Sequence, residues 1–158
     1  MKFTEQKRIK KQVTENLITA EEVYSKIRHY ISHAKNIYWC RNLNLAPSFQ
    51  EDDYLNNLKV SMPSFIISVK EFQDIYFINQ KLCSDYPKML EYSNAYFERQ
   101  TNNIHTEIID VKKDIKQLDQ YSYDKVLRNA IKLLDLSEDC VQKYLVTKLK
   151  PQNQIINQ

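Results

Sequence analysis

Residues 9–38 read IKKQVTENLITAEEVYSKIRHYISHAKNIY, and apolar positions recur through this stretch at a heptad spacing. Val13, Ala20, Ile27 and Ala34 form one row, and Ile9, Asn16, Val23, Tyr30 and Ile37 form a second. Leu17, Tyr24, Ile31 and Tyr38 lie beside them. An α-helix turns about 100° per residue, so the rows make a single, largely apolar stripe three positions wide. That is broader than the seam of a two-stranded coiled coil and fits a helix laid against several others in a bundle. Thr19 and Glu22 have the spacing of a capping box, but the register runs through them without a slip. One long helix from about Thr4 to Asn42 is expected.

Further along, residues 42–48 read as a loop around Pro47, and Ser48 with Glu51 opens a short helix to about Lys59. Pro63 sits where a first helical residue belongs, ahead of a helix over 64–82. That helix carries Phe65, Ile66, Ile67, Val69, Phe72, Ile75, Tyr76, Phe77 and Ile78 on nearly all sides. It reads as central to the core, with burial of a second face against a partner as the alternative. Asp85-Tyr86-Pro87 breaks the chain, and a second register follows. Leu90, Phe97, Ile104, Val111 and Leu118 form one row; Asn94, Thr101, Ile108 and Ile115 form the other. This narrow seam suits a long helix in a bundle, or self-association. Ser122 is expected to cap a helix to about Leu136, and Ser137 a last one to about Leu149. The expected architecture is an all-α, single-domain helical bundle over residues 1–150. It has about six helices, two of them long and heptad-patterned, and a flexible C-terminal tail over 151–158.

A chain of 158 residues with 42% hydrophobic and 27% charged side chains can bury one real core. It contains no glycine, which excludes the phosphate-cradling P-loop and the dinucleotide fingerprint, both built on glycine backbone. Cys40, Cys83 and Cys140 are odd in number and far apart, so neither a disulfide framework nor a zinc knuckle is expected. No cofactor and no metal are expected. No stretch has the roughly 18 to 20 apolar residues of a membrane span, and no secretory signal opens the chain. A cytoplasmic protein with no membrane partner is the expectation. The net charge of +3 is too close to balance to imply nucleic acid by itself.

Three constellations invite a chemical reading. In Arg28-His29-Tyr30-Ile31-Ser32-His33, an Arg, a polar residue, three others and a His follow the short motif of HEPN domains, which this stretch resembles. Many HEPN domains are small helical RNases of toxin and defence systems. The resemblance implies a metal-independent endoribonuclease, with His33 as acid or base at the 2′-hydroxyl and Arg28 holding phosphate. His29 and His33 also have the four-residue spacing of a metal pair, but Lys26 on the same side would repel a cation. The second constellation, residues 129–145, resembles a helix-turn-helix, the DNA-reading hairpin of many repressors. Leu134, Leu136, Val141 and Tyr144 fall at its core positions, and Ser137 caps the second helix. Gln142, Lys143 and Lys148 would then approach nucleic acid, as would Lys7, Arg8, Lys10 and Lys11 near the other end of the chain. A plain helical hairpin accounts for the same residues.

The third is aromatic. Tyr92, Tyr96, Tyr121 and Tyr123 fall outside the main seam, where aromatics are frequent anchors of protein interfaces. Taken together, the residues favour a non-catalytic protein that binds a macromolecular partner, as small plasmid- or phage-borne regulators and inhibitors do. A protein partner is the first expectation and nucleic acid the second. A homodimer through the long heptad helices is also open.

Overall fold

Four helices account for nearly all the residues that the computed structural model describes, which are 2–42, 48–119 and 124–149. They are α1 (Lys2–Asn42), α2 (Ser48–Leu82), α3 (Pro87–Leu118) and α4 (Lys125–Val141), the last widening into a π-helical turn at Gln142–Val146. No strand occurs among the described residues. The all-α class therefore holds, while about six helices becomes four because two expected breaks are absent. The loop around Pro47, Ser122 and the tail 151–158 lie outside the described residues.

The first absent break is Pro63, which lies inside α2. Proline lacks the amide that would bond the carbonyl of Lys59, but both residues face solvent, where water can take that carbonyl. One turn earlier, Ser61 Oγ donates to the carbonyls of Asn57 (2.6 Å) and Leu58 (3.3 Å). On the opposite side Leu58, Met62, Phe65, Val69 and Phe72 continue one buried row past the proline. Side chains worth roughly 1.5–3 kcal/mol each when buried outweigh the roughly 3 kcal/mol cost of one interior proline. The second absent break is Ser137, which is no cap. Its hydroxyl donates to the Leu133 carbonyl (2.8 Å), the back-bond of a residue within a helix. Thr19 does the same to Glu15 (3.2 Å), and α1 passes through it unbroken. The cap of α4 is Asp124, whose carboxylate accepts from the Leu127 amide (3.2 Å). The break at Asp85-Tyr86-Pro87 is where the sequence puts it, with Pro87 opening α3.

Contacts between the helices fix their directions. Tyr30 meets Met62 while Asn16 meets Asn79, so α1 and α2 are antiparallel. Glu21 meets Tyr96 while Arg28 meets Glu107, so α1 and α3 are parallel. Arg41 meets Asp124 while Tyr30 meets Ser137, so α4 runs back along α1. Around the bundle α1 lies between α2 and α3, and α4 closes the ring by packing on the same two.

Both heptad registers are buried as their periodicity requires. Ala20, Ile27, Tyr30, Ile31, Ala34 and Ile37 of α1 and Phe97, Ile104, Ile108 and Ile115 of α3 share the main core. α4 is too short to reach the far end. There a second, smaller cluster of Ile9, Val13 and Cys83, flanked by Leu82, Tyr86, Met89 and Leu90, joins only α1, α2 and α3. The apolar α2 is core on one side alone. Phe65, Val69, Phe72 and Tyr76 are buried, whereas Val60, Ile67, Phe77 and Ile78 are exposed. No described helix is long and apolar enough to cross a membrane.

Asp124 joins two of these ends, accepting from Arg41 Nη1 at 2.6 Å while capping α4. The hydrogen bond from Arg41 is the main cause that holds its carboxyl below the usual carboxylate range, with the Leu127 amide adding to it. A depressed folded value stabilises the protein fully above the unfolded carboxylate value near about 3.9, and that stability is lost as pH falls through the folded value. Urea unfolding of Asp124→Ala at neutral pH should show a loss of about 1 kcal/mol. The difference from the parent should shrink below about pH 4; a constant difference down to the lowest pH would contradict this role of the carboxylate.

Candidate functional site

Because α1 and α3 run parallel, side chains one heptad apart on α1 line a single valley between them, opposite matching positions of α3. In its middle the valley is closed by pairs. Tyr96 donates to Glu21 Oε2 (2.5 Å), and Gln100 donates to the same oxygen (3.2 Å) while accepting from Asn103 (3.0 Å). One heptad on, Arg28 meets Glu107 through Nη2 (3.0 Å) and Nε (3.2 Å) and lies 5.7 Å over the Tyr24 ring. The hydrogen bond to Glu107 is the first cause raising the Arg28 value. Lys35 reaches the same carboxylate at 3.7 Å.

The two ends of the valley are open. At the end where α1 and α3 begin, a groove of ≈ 320 Å³ is lined by Lys10, Val13 and Thr14 from α1 and Lys88, Met89 and Tyr92 from α3. Tyr92 is 71% exposed, and neither lysine makes an ion pair among the described residues. At the other end a groove of ≈ 250 Å³ is lined by Lys35, Tyr38, Trp39, Glu107, Asp110, Val111 and Asp114. Trp39 is 50% exposed and packs edge-on against Tyr38, ring centroids 5.4 Å apart. One end is thus basic and aromatic, and the other acidic and aromatic.

The residues singled out from the sequence divide against this geometry. α1 is unbroken from Arg28 to His33, so the two side chains point about 140° apart. Arg28 is taken up by Glu107, while His33 lies edge-on to His29, ring centroids 4.9 Å apart. Burial pushes the His33 imidazole below its usual value and His29 beside it adds to the effect. Its Nδ1 is buried without a protein partner. Within one chain the motif therefore assembles no shared site. Among the described residues no group of three or more His, Cys, Asp or Glu side chains could hold a metal ion. The expected helix-turn-helix over 129–145 has no turn. α4 runs straight through Asp135–Ser137, because Ser137 points inward to Tyr30. Gln142 opens the π-helical turn, Lys143 lies 5.3 Å over the Tyr144 ring, and Lys148 is exposed.

Of the tyrosines, Tyr96 is a member of the valley and half-buried, and its hydroxyl is pushed well above its usual value by burial and by Glu21. Tyr92 is the free ring. Tyr121 and Tyr123 lie outside the described residues. In the basic cluster, Lys7 lies 4.9 Å over Phe3, Arg8 sits near Tyr86, Lys10 lines the groove and Lys11 is exposed. Lys88, Met89, Trp39, Asp110 and Asp114 belong to the valley but carry no motif. Their signal is their position across the valley, Trp39 on α1 and the other four on α3, which appears only once α3 is known to lie parallel to α1. No protein-family model matches the chain, and no curated protein or solved structure matches it either.

The Arg28–Glu107 pair makes a direct forecast for RNA. Purified protein incubated with single-stranded RNA in a chelator should leave it intact, as should Arg28→Ala and His33→Ala. Cleavage by the wild type that vanishes in both variants with folding unchanged would restore a catalytic role for these residues.

Proposed function

We propose that this chain is a non-catalytic binding protein whose contact surface is the α1/α3 valley and whose partner is a protein. The observation that supports this reading is Tyr92. A large ring, 71% exposed, stands at the rim of a groove with an apolar floor of Val13 and Met89 and a cation on either wall. Aromatic side chains beside small apolar pockets are the usual anchors of protein interfaces, since they bury much area with few rotatable bonds. Lys10 and Lys88 would add steering toward an acidic surface. Catalysis finds less support: Arg28 is consumed by Glu107, and His33 points away from it. A regulator or inhibitor acting by occupation of its partner needs no more chemistry than this surface offers.

A photo-crosslinking aromatic amino acid placed at position 92 tests the reading in the producing cells. Protein adducts are expected there, and none from the same probe at Leu136, an exposed apolar site on α4 away from the valley. In vitro, Tyr92→Ala should weaken binding of the captured partner by about 2 kcal/mol, as removal of an anchor does. Adducts with nucleic acid alone, or none at position 92, would overturn it.

A further inference from the structure

We propose that the partner seated on the α1/α3 valley is a second copy of this chain, lying antiparallel across it. The basic end of each copy then meets the acidic end of the other. This rests on the reading of the valley as the contact surface and names its occupant.

Charge is the first argument. The groove at Tyr92 is lined by Lys10 and Lys88 and by no carboxylate. The groove at Trp39 is lined by Glu107, Asp110 and Asp114 against a single Lys35, which already shares Glu107 with Arg28. Asp110 and Asp114 make no ion pair among the described residues. Each end thus carries free charge that the other would neutralise, and the two sit on one valley of one molecule.

Symmetry is the second. From Val13 to Tyr38 is 25 residues of helix, about 38 Å. A two-fold axis through the middle of the valley, perpendicular to the helices, carries the basic end of one copy onto the acidic end of the other at both ends at once. Such a contact is isologous and closes at two copies. Near the middle lie Gln100 and Asn103, amides that both donate and accept, so α3 would meet its own image there without like-charge repulsion. Shape agrees, because Tyr92 projects at one end and Tyr38 with Trp39 wall a recess over Val111 at the other. The extent is sufficient too: a strip about 40 Å long and two helices, about 20 Å, wide offers about 800 Å² per copy, the size of a standard stable interface.

Sedimentation velocity with paired charge reversals tests the arrangement. The wild type should sediment as a dimer at micromolar concentration. Lys10→Glu with Lys88→Glu makes both ends acidic, and Asp110→Lys with Asp114→Lys makes both ends basic. Each double variant alone should dimerise at least about tenfold more weakly. Mixed in equal amounts they should recover a dimer, since both contacts are then complementary. Circular dichroism and melting temperature should be unchanged; should a reversal unfold the chain, Lys88→Ala and Asp110→Ala, each expected to weaken the dimer, replace it. A monomeric wild type, a dimer indifferent to both reversals, or variants that stay monomeric when mixed would each overturn the proposal. A monomer that still crosslinks another protein at position 92 overturns the second copy alone, whereas a monomer without such adducts removes the contact surface as well.

Discussion

The hydroxyl of Tyr30 is the constraint to which α1, α2 and α4 all answer. Tyr30 is 2% exposed, its ring stacks on Phe65 of α2 with centroids 4.2 Å apart, and its oxygen lies 2.6 Å from Ser137 Oγ of α4. Ser137 gives its one proton to the Leu133 carbonyl, so Tyr30 is the donor in their pair. Burial pushes the Tyr30 value up to about 12, which keeps the hydroxyl a neutral donor throughout the physiological range. A buried hydroxyl left unpaired costs roughly 1–3 kcal/mol. Sliding α4 by one turn would bring Leu133, Leu134, Cys140 or Val141 opposite Tyr30 in place of the serine. The stripe of α1 drives association of the helices. This buried polar pair, with Arg41–Asp124 at the start of α4 and Lys112 of α3 reaching Asp135 and Glu138, selects how α4 sits.

A second polar layer does the same work where α4 is absent. Asn79 is fully buried, accepts from Asn16 Nδ2 of α1 at 2.9 Å and donates to Ser93 Oγ of α3 at 3.1 Å. Gln80 beside it donates to Asn94 at 2.9 Å. Such a layer, satisfied within the protein, costs little and penalises any other register of the three helices. It fixes the register of α3 against α1, which the reversal through α2 has made parallel, and the valley between them follows. Within that valley Glu21 gathers Tyr96 and Gln100, and Glu107 gathers Arg28 and Lys35. The proposed contact surface therefore follows from helix order rather than from any motif.

Periodicity made the fold largely legible. The rows of α1 and α3 were readable because burial repeats every seven residues whatever the neighbours are. Breaks were harder: Pro63 and Ser137 carry the chemistry of a helix start, yet a continuous buried row around each outweighs one local preference. Tyr92 and Lys10 were visible as single residues, but not as one groove, because heptad spacing says which face of a helix is apolar and not which helix lies beside it. Trp39, Asp110 and Asp114 were missed for the same reason. The Arg28 and His33 spacing was plain in the sequence, whereas Glu107, which takes up the arginine, is 79 residues away from it.

A double-mutant cycle on Tyr30 and Ser137 measures whether their hydrogen bond holds α4 in its register. Tyr30→Phe and Ser137→Ala would be measured singly and together by chemical unfolding. Each single change removes the contact between them, leaving Ser137 its bond to the Leu133 carbonyl or Tyr30 only the weak acceptor Met62 Sδ at 3.5 Å. Each should therefore destabilise the protein, while the double variant should lose less than their sum. A coupling of roughly 1 kcal/mol or more is the predicted result. Additivity within about 0.3 kcal/mol would show that the pair does not hold α4 in place, and would contradict this account of the bundle.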